Sequence, residues 1–169
     1  MSELSDREII EKALQLGTEY EKKCTGCAQS VVAGLLDALD IKADDVFKAA
    51  SGLADGIGLS GDGSCGALTG SCMVIGLICG RERKDHKDMM KPVKSYLLCK
   101  ELHAYFIEKY GSCRCYDIQN KLMGRTFNMF DPKDLAEAGK TGMMEHCSGV
   151  TGGAASKAAE IILREKGKA

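Results

Sequence analysis

The sequence predicts an all-α protein, a single-domain bundle of about six to eight helices around a buried central helix at residues 65–79. Apolar residues recur with helical spacing, most clearly in residues 28–39. No segment shows the alternating, Val-, Ile- and Thr-rich pattern of a strand. A chain of 169 residues fits one domain, 1–169, and can bury a core of its own.

The first and third predicted helices have clear end signals. Ser5 and Glu8 form a capping box, and the apolar stripe that follows predicts a first helix ending near Gly17. A short third helix starts at Asp44 or Asp45 and ends at Gly52.

The second predicted helix, residues 28–39, follows the motif Cys24-Thr-Gly-Cys27. Thr25 can cap this helix, which places Cys27 in its first turn, where the helix dipole favours a thiolate. A Cys-x-x-Cys pair has three interpretations here: a redox dithiol, part of a metal site, or coincidence in a cysteine-rich chain. The βαβ pattern that accompanies a thioredoxin-like pair is missing from the sequence.

The central helix follows a glycine-dense segment, residues 52–64. Asp62 or Ser64 can cap the helix, Cys65 falls in its first turn, and Gly80 can end it. Because the helix is apolar nearly all round, we expect it to be buried. The residues expected to be nearly inaccessible are Ala67, Leu68, Val74, Ile75 and Ile78.

Cys65, Cys72 and Cys79 are seven residues apart and share one face of this helix. Seven residues rise about 10 Å along a helix, which is too far for neighbouring thiols to bind one small cluster easily. Cys72 and Cys79 are therefore expected to be packing residues.

The middle of the chain holds a charged loop and a longer helix. Residues 81–88 alternate in charge, which indicates a solvated loop with His86 on the surface. Residues 93–110 form an amphipathic helix closed by Gly111. Cys99 and His103 are four residues apart on that helix, and we expect them to be core or surface residues. The apolar face is predicted to comprise Tyr96, Leu97, Leu102, Phe106 and Ile107.

Two further cysteine positions lie in the last third of the chain. Cys113 and Cys115 follow a Gly-Ser turn and open a short helix. Asp131 and Pro132 predict a brief helix ending at Gly139. Cys147 precedes a last helix over residues 154–165, and residues 124–142 give no clear functional signal.

Composition excludes several classes of protein. The formal net charge of −1 gives no reason to expect nucleic acid or an anionic membrane as a partner. The longest apolar run, residues 67–79, is shorter than the roughly 20 residues that span a bilayer. With no signal peptide pattern at the N-terminus, we expect a cytoplasmic protein. Nine cysteines in a reducing compartment favour metal, cluster or redox chemistry over a disulfide framework.

The segment Cys65-Gly66-Ala67-Leu68-Thr69-Gly70 resembles the Cys-Gly-Ala-x-x-Gly block of the C_GCAxxG_C_C family of redox-active proteins, over about residues 24–160. The resemblance implies an iron–sulfur or related prosthetic group. It also implies which cysteines bind it: Cys27, Cys65, Cys115 and Cys147. Backbone at Gly63 and Gly66 would lie beside the group, and Cys24 or Cys113 could substitute for a neighbouring thiol.

Three functions remain open from the sequence. The first is an iron–sulfur protein for electron transfer, with a redox protein or an oxidoreductase as partner and a homodimer left open. The second is a structural zinc site, although zinc sites usually use closely spaced cysteine pairs. The third is a cofactor-free thiol/disulfide protein that uses Cys24 with Cys27, or Cys113 with Cys115. Whether the protein is itself an oxidoreductase also stays open.

Overall fold

Eight α-helices, together with loops and two short 3₁₀ turns, form the part of the chain that the computed structural model describes, residues 4–167. Within that part no strand forms, and one isolated antiparallel bridge joins Ser64 to Arg114. The all-α prediction is confirmed. The helices are α1 (Asp6–Cys24), α2 (Cys27–Ala38), α3 (Asp44–Ala49), α4 (Gly66–Cys79), α5 (Val93–Tyr110), α6 (Cys115–Met123), α7 (Pro132–Lys140) and α8 (Met143–Lys166).

Helix α1 begins at the predicted capping box but does not end near Gly17. Gly17 lies instead where α1 meets two other helices. A Cβ added at Gly17 would lie 3.1 Å from the Cβ of Ala155 on α8. A Cβ added at Gly34 on α2 would lie 2.7 Å from the backbone nitrogen of Gly17. The predicted end was wrong because this glycine permits close helix packing rather than stopping the helix.

Helix α8 begins at Met143, well before the predicted start at Ala154. Its interior glycines weaken a helix locally, but one of them also allows a close crossing with α1. A Cβ added at Gly152 would lie 2.7 Å from the carbonyl oxygen of Leu14. The early start places Cys147 inside the helix, in its second turn, rather than in a preceding loop.

Helix α4 packs against α2, α5 and α8 near the middle of the bundle. Close packing with α2 depends on Gly70, where an added Cβ would lie 2.5 Å from the carbonyl oxygen of Ala28. The last turn reaches the surface, since Ile78 is half-buried and Leu77 is 43% exposed. The other residues expected to be inaccessible are buried: Ala67, Leu68, Val74 and Ile75.

The buried face of α5 differs from the predicted one. Leu102 and Phe106 are fully buried as expected. Tyr96, Leu97 and Ile107 are 63%, 61% and 42% exposed, so this part of the predicted face was wrong. The helix buries instead a stripe with spacing of four residues, namely Leu98, Leu102, Phe106 and Tyr110.

The ends of the helices also test the predicted caps. Asp131 caps α7, with Pro132 at its first position, as predicted. Thr25 does not cap α2, because Gly26 occupies that position in a left-handed conformation. Neither Asp62 nor Ser64 caps α4, because Cys65 holds the capping position without a side-chain hydrogen bond.

Two of the remaining connections contain 3₁₀ turns. Helix α3 continues into a 3₁₀ turn, Ala50–Leu53, so the predicted third helix is two shorter elements. A second 3₁₀ turn, Arg83–Asp85, lies in the charged loop, and His86 is exposed there as expected. Among the helices of residues 4–167, none has the length and apolar character needed to cross a bilayer.

Candidate functional site

A cavity of about 390 Å³ lies where the beginnings of α2, α4, α6 and α8 meet. Cysteines from all four regions line it. Cys27 and Cys115 are the first residues of α2 and α6, Cys65 directly precedes α4, and Cys147 lies in the second turn of α8. The fold thus brings together, around one space, cysteines that are distant in the sequence.

Backbone hydrogen bonds join the two chain segments that carry Cys65 and Cys115. The N–H of Cys65 donates to the carbonyl of Cys113 at 2.8 Å. The N–H of Cys115 donates to the carbonyl of Gly63 at 2.9 Å, and that of Tyr116 donates to Gly61 at 2.9 Å. Gly63 therefore supports the site through its backbone, by fixing the start of α6 against the start of α4.

Gly66 makes room for the sulfur of Cys27. A Cβ added at Gly66 would lie only 2.5 Å from the Cys27 Sγ atom and 2.9 Å from the carbonyl oxygen of Leu53. The neighbouring Cys65 thiol raises the pKa of Cys27. A side chain at position 66 would therefore disturb the contact between the beginnings of α2 and α4.

The glycine-dense segment forms a left-handed turn beside the cavity. Five consecutive residues, Asp55 to Leu59, have positive φ angles. Three of these residues are not glycine, and the branched Ile57 has φ of 72°. Such conformations cost an L-residue free energy and persist where the surrounding structure enforces them, often at functional sites. This turn holds Asp55 at the cavity wall.

Asp55 is a buried carboxylate in contact with the cysteines. Its Oδ1 atom accepts hydrogen bonds from Cys115 Sγ at 2.9 Å and from Gln119 Nε2 at 2.8 Å. Its Oδ2 atom is buried and has no hydrogen-bond partner among the residues described. Burial raises the pKa of this carboxyl group, while the bonds from Cys115 and Gln119 oppose that rise.

Glu21, near the end of α1, is a second buried carboxylate on the cavity wall. It is 5% exposed, and within residues 4–167 its Oε2 atom has no hydrogen-bond partner. Burial raises the pKa of Glu21, opposed by a hydrogen bond with Ser30. The cavity wall thus includes two carboxyl groups, each with one buried oxygen that has no hydrogen-bond partner among the residues described.

The cavity environment favours protonated thiols. The hydrogen bond with Cys65, followed by burial, raises the pKa of Cys27. Burial, followed by the charge of Asp55, raises the pKa of Cys115, and burial does the same for Cys147. The predicted thiolate preference of Cys27 at its helix start was therefore wrong, because burial and neighbouring acidic groups outweigh the helix dipole.

Methionines line the side of the cavity formed by the end of α6, α7 and the start of α8. Cys115 and Met123 lie at opposite ends of α6, about 12 Å apart along the helix axis. Part of the apolar lining comes from residues 124–142, which gave no clear functional signal in the sequence, and part comes from the start of α8. It includes Met123, Met129, Leu135, Met143 and Met144.

The two predicted substitute ligands do not line this cavity. Cys24 is exposed at the end of α1. Cys113 is half-buried, and its sulfur accepts a 3.9 Å hydrogen bond from the Ser64 hydroxyl. Among residues 4–167, no three or more His, Cys, Asp or Glu side chains are placed to hold one metal ion.

Sequence reasoning missed the acidic and amide groups of this site. Glu21 lies beyond the predicted end of the first helix. Asp55 lies in the glycine-dense segment, where only the glycines were interpreted. Gln119 lies one turn after Cys115 on α6 and donates to Asp55. A polar side chain one helical turn from a candidate ligand was the available signal for Gln119.

Cys72 and Cys99 form a separate pair, between α4 and α5. The Cys99 thiol donates a 3.9 Å hydrogen bond to the carbonyl oxygen of Cys72, and the interaction of the two thiols raises the pKa of Cys72. Cys72 therefore contacts another thiol rather than only apolar atoms. Cys79 is half-buried in the last turn of α4.

Comparison with known proteins identifies related sequences. The family described as "Putative redox-active protein (C_GCAxxG_C_C)" matches residues 25–161. An uncharacterized protein of Archaeoglobus fulgidus is 32% identical over 120 residues, which cover 68% of this chain and 79% of that protein. No solved structure matches the chain.

Proposed function

Because the chain belongs to the C_GCAxxG_C_C family of redox-active proteins, we propose that it is an iron–sulfur protein that transfers electrons. One observation carries this proposal: cysteines from four separate helical segments line a single cavity. Four thiolates are the usual ligand set of an iron–sulfur cluster. The proposed ligands are Cys27, Cys65, Cys115 and Cys147.

The spacing of the thiols favours a cluster over a single ion. One tetrahedral zinc ion needs every sulfur at about 2.3 Å from the same point. Residues 4–167 contain no group of side chains placed in that way. In a [4Fe–4S] cluster each thiolate binds a different iron, so the sulfurs can stand further apart around a larger space. The cavity of about 390 Å³ provides such a space.

The rest of the lining would tune and protect the bound group. An iron–sulfur cluster would supply one-electron transfer, with a potential set by charge, hydrogen bonding and solvent access. Backbone N–H groups beside the sulfurs would raise such a potential, and the backbone of Asp55 lies beside Cys27. The methionine side chains keep water away from the thiols. Burial favours neutral carboxyl groups at Asp55 and Glu21, which limits the negative charge.

A cofactor-free dithiol protein is the second candidate, and one observation favours it. The sulfur of Cys27 packs against Gly66, the residue that follows Cys65, so the two thiols are neighbours that a two-electron oxidation could join. The pairs expected from the sequence have weaker support. Cys24 is exposed at the helix end, and Cys115 bonds to Asp55 rather than to Cys113.

Metal and sulfide analysis of protein purified without oxygen separates these candidates. We expect a brown protein with a visible charge-transfer absorption, and with iron and acid-labile sulfide in stoichiometric amounts. Zinc without iron would support the structural zinc site instead. A colourless, metal-free protein, prepared from iron-supplemented cells under strict anaerobiosis, would support the dithiol and overturn the cluster.

An electron carrier also needs a donor or acceptor. We propose a cytoplasmic redox protein or a larger oxidoreductase as that partner, with electrons passing through the wall of the cavity. Reduction of the purified protein by a low-potential dye, followed by its reoxidation by a candidate acceptor, would test this role.

A further inference from the structure

The pair formed by Cys72 and Cys99 lies outside the cavity and has an opening of its own. Both sulfurs line a surface depression between α4 and α5. The rim of this depression carries Lys100 and His103, whose side chains are exposed. A dissolved molecule can therefore approach this pair without entering the buried cavity.

The two thiols are neighbours but are not equivalent. The Cys99 thiol donates a 3.9 Å hydrogen bond to the carbonyl oxygen of Cys72, and both side chains line the depression. The interaction between the two thiols lowers the pKa of Cys99 and raises the pKa of Cys72, whose burial raises it further. Cys99 is thus the more readily ionised thiol, and Cys72 is the neighbour that remains protonated.

We propose that Cys72 and Cys99 are a second redox site, a dithiol that exchanges with the disulfide bond of a small organic disulfide. Three observations support it: the hydrogen bond from the Cys99 thiol to the backbone of Cys72, the place of both thiols in an open depression, and the basic side chains at its rim. Lys100 adds positive charge beside the attacking thiolate, and this favours binding of disulfides that carry carboxylates.

The reaction has two steps that balance. The Cys99 thiolate attacks one sulfur of the disulfide, forms a mixed disulfide, and releases the other half as a thiolate. Cys72 then loses its proton to that thiolate and attacks the Cys99 sulfur, which releases the second half as a thiolate that takes a proton from solvent. The two protein thiols are oxidised to one disulfide, and the small disulfide is reduced to two thiols.

This site does not depend on the proposed cluster. None of the cavity cysteines lines the depression, and neither Cys72 nor Cys99 lines the cavity. Failure of one proposal therefore leaves the other standing, since iron content reports on the cavity and disulfide mapping reports on this pair.

Oxidised glutathione is a suitable probe because it is a small disulfide with carboxylate groups. Wild-type protein, as purified without oxygen, is incubated with it, its free thiols are blocked, and a non-reducing digest is mapped by mass spectrometry. We expect the peptide that joins Cys72 to Cys99 to form before any other linkage. Modification of exposed Cys24 with no Cys72–Cys99 linkage would overturn the proposal.

Two variants test the order of the steps. Cys72→Ser should trap glutathione on Cys99, because the resolving thiol is missing. Cys99→Ser should leave Cys72 unmodified over the same time. A Cys72→Ser protein in which Cys99 resists glutathione, with helical circular dichroism like that of the wild type, would contradict the proposal.

Cys79→Ser is the matched control. Cys79 lies two turns after Cys72 on the same helix, is also half-buried, and does not line the depression. We expect this variant to form the Cys72–Cys99 linkage at the wild-type rate. A tenfold slower linkage in this variant would point to general loosening of α4 rather than chemistry at one pair, and would count against the assignment.

Discussion

Two cysteine sites lie about two helical turns apart, one at the residue that caps α4 and one within that helix, and they differ in burial, neighbours and access to solvent. At the start of α4, Cys65 faces a cavity with three other cysteines and two buried carboxylates. Further along, Cys72 has a single thiol neighbour, Cys99, and an open depression beside it. Cys65 thus borders a cavity that could enclose a cofactor, whereas Cys72, on the same face, belongs to a pair of thiols beside an open depression.

Different interactions act on the thiols of the two sites. In the cavity, burial raises the pKa of Cys115 and Cys147, which favours protonated thiols until a cation binds. In the depression, the interaction between the two thiols lowers the pKa of Cys99 and raises the pKa of Cys72. The first arrangement suits metal binding, which replaces the protons, and the second suits attack on a disulfide.

The largest expected effect on stability is at the start of α4. Gly66→Ala would place a Cβ 2.5 Å from the Cys27 sulfur, so we expect the free energy of unfolding to fall by about 1–3 kcal/mol. Gly76→Ala is the control, because a Cβ there meets no other atom within 4 Å. We expect it to raise the free energy of unfolding by about 0.5–1 kcal/mol.

Urea denaturation of both glycine variants, as metal-free protein, measures this contrast. Equal effects of the two substitutions would mean that the start of α4 is not tightly packed against Cys27. The wall of the cavity would then be less tightly packed than the surrounding helices. The contrast between a closely packed cavity and an open depression would no longer hold.

The second prediction concerns the buried acid of the cavity. Burial raises the pKa of Glu21 above the unfolded value of about 4.3. Its contribution to stability is present below that pH and is lost as the pH rises through the raised pKa. Glu21→Gln removes this dependence. The free energy of unfolding of the metal-free variant should therefore decline less than that of the wild type between about pH 4 and pH 7.

Glu19→Gln, on the same helix, should change the pH dependence in the opposite direction. Hydrogen bonds from Gln15 and Lys23 lower the pKa of Glu19, so its contribution is present at higher pH and is lost as the pH falls. Urea titrations across the pH range measure both slopes. Parallel curves for the wild type and Glu21→Gln would show that Glu21 is solvated.

The smallest effect is expected at the ion pair beside the cavity. Arg114 Nε donates to Asp62 Oδ1 at 2.8 Å, but both side chains are substantially exposed. Arg114→Gln should lower the free energy of unfolding by less than about 1 kcal/mol. The backbone bonds between the glycine-dense segment and the start of α6 remain in this variant. A loss above about 2 kcal/mol in urea denaturation would mean that the ion pair, rather than the backbone, holds the cavity wall.

The helical class and most helix positions could be predicted because they depend on local patterns. The repeat in residues 28–39 and the Asp131–Pro132 start are signals within one helix. The end of α1 and the start of α8 could not be predicted, because Gly17 and Gly152 serve contacts between helices distant in sequence. The same limitation applies to the buried face of α5.

The candidate site was only partly predictable for the same reason. A resemblance, rather than any local pattern, singled out the four cysteines that line the cavity. Asp55 depends on a left-handed turn, and its contact with Cys115 joins positions 60 residues apart. Cys72 was expected to be a packing residue, and its neighbour Cys99 was not predicted because it lies on a different helix. Contacts of this kind exist only once the helices have packed.

Iron content of two serine variants tests the central claim, which is that only the first of the two sites on α4 holds the cofactor. Cys65→Ser and Cys72→Ser are purified side by side without oxygen, and iron is measured per folded chain. We expect Cys65→Ser to lose most of its iron and its visible absorption, and Cys72→Ser to retain the wild-type amount. Loss of iron from Cys72→Ser, with Cys65→Ser unaffected, would contradict the account.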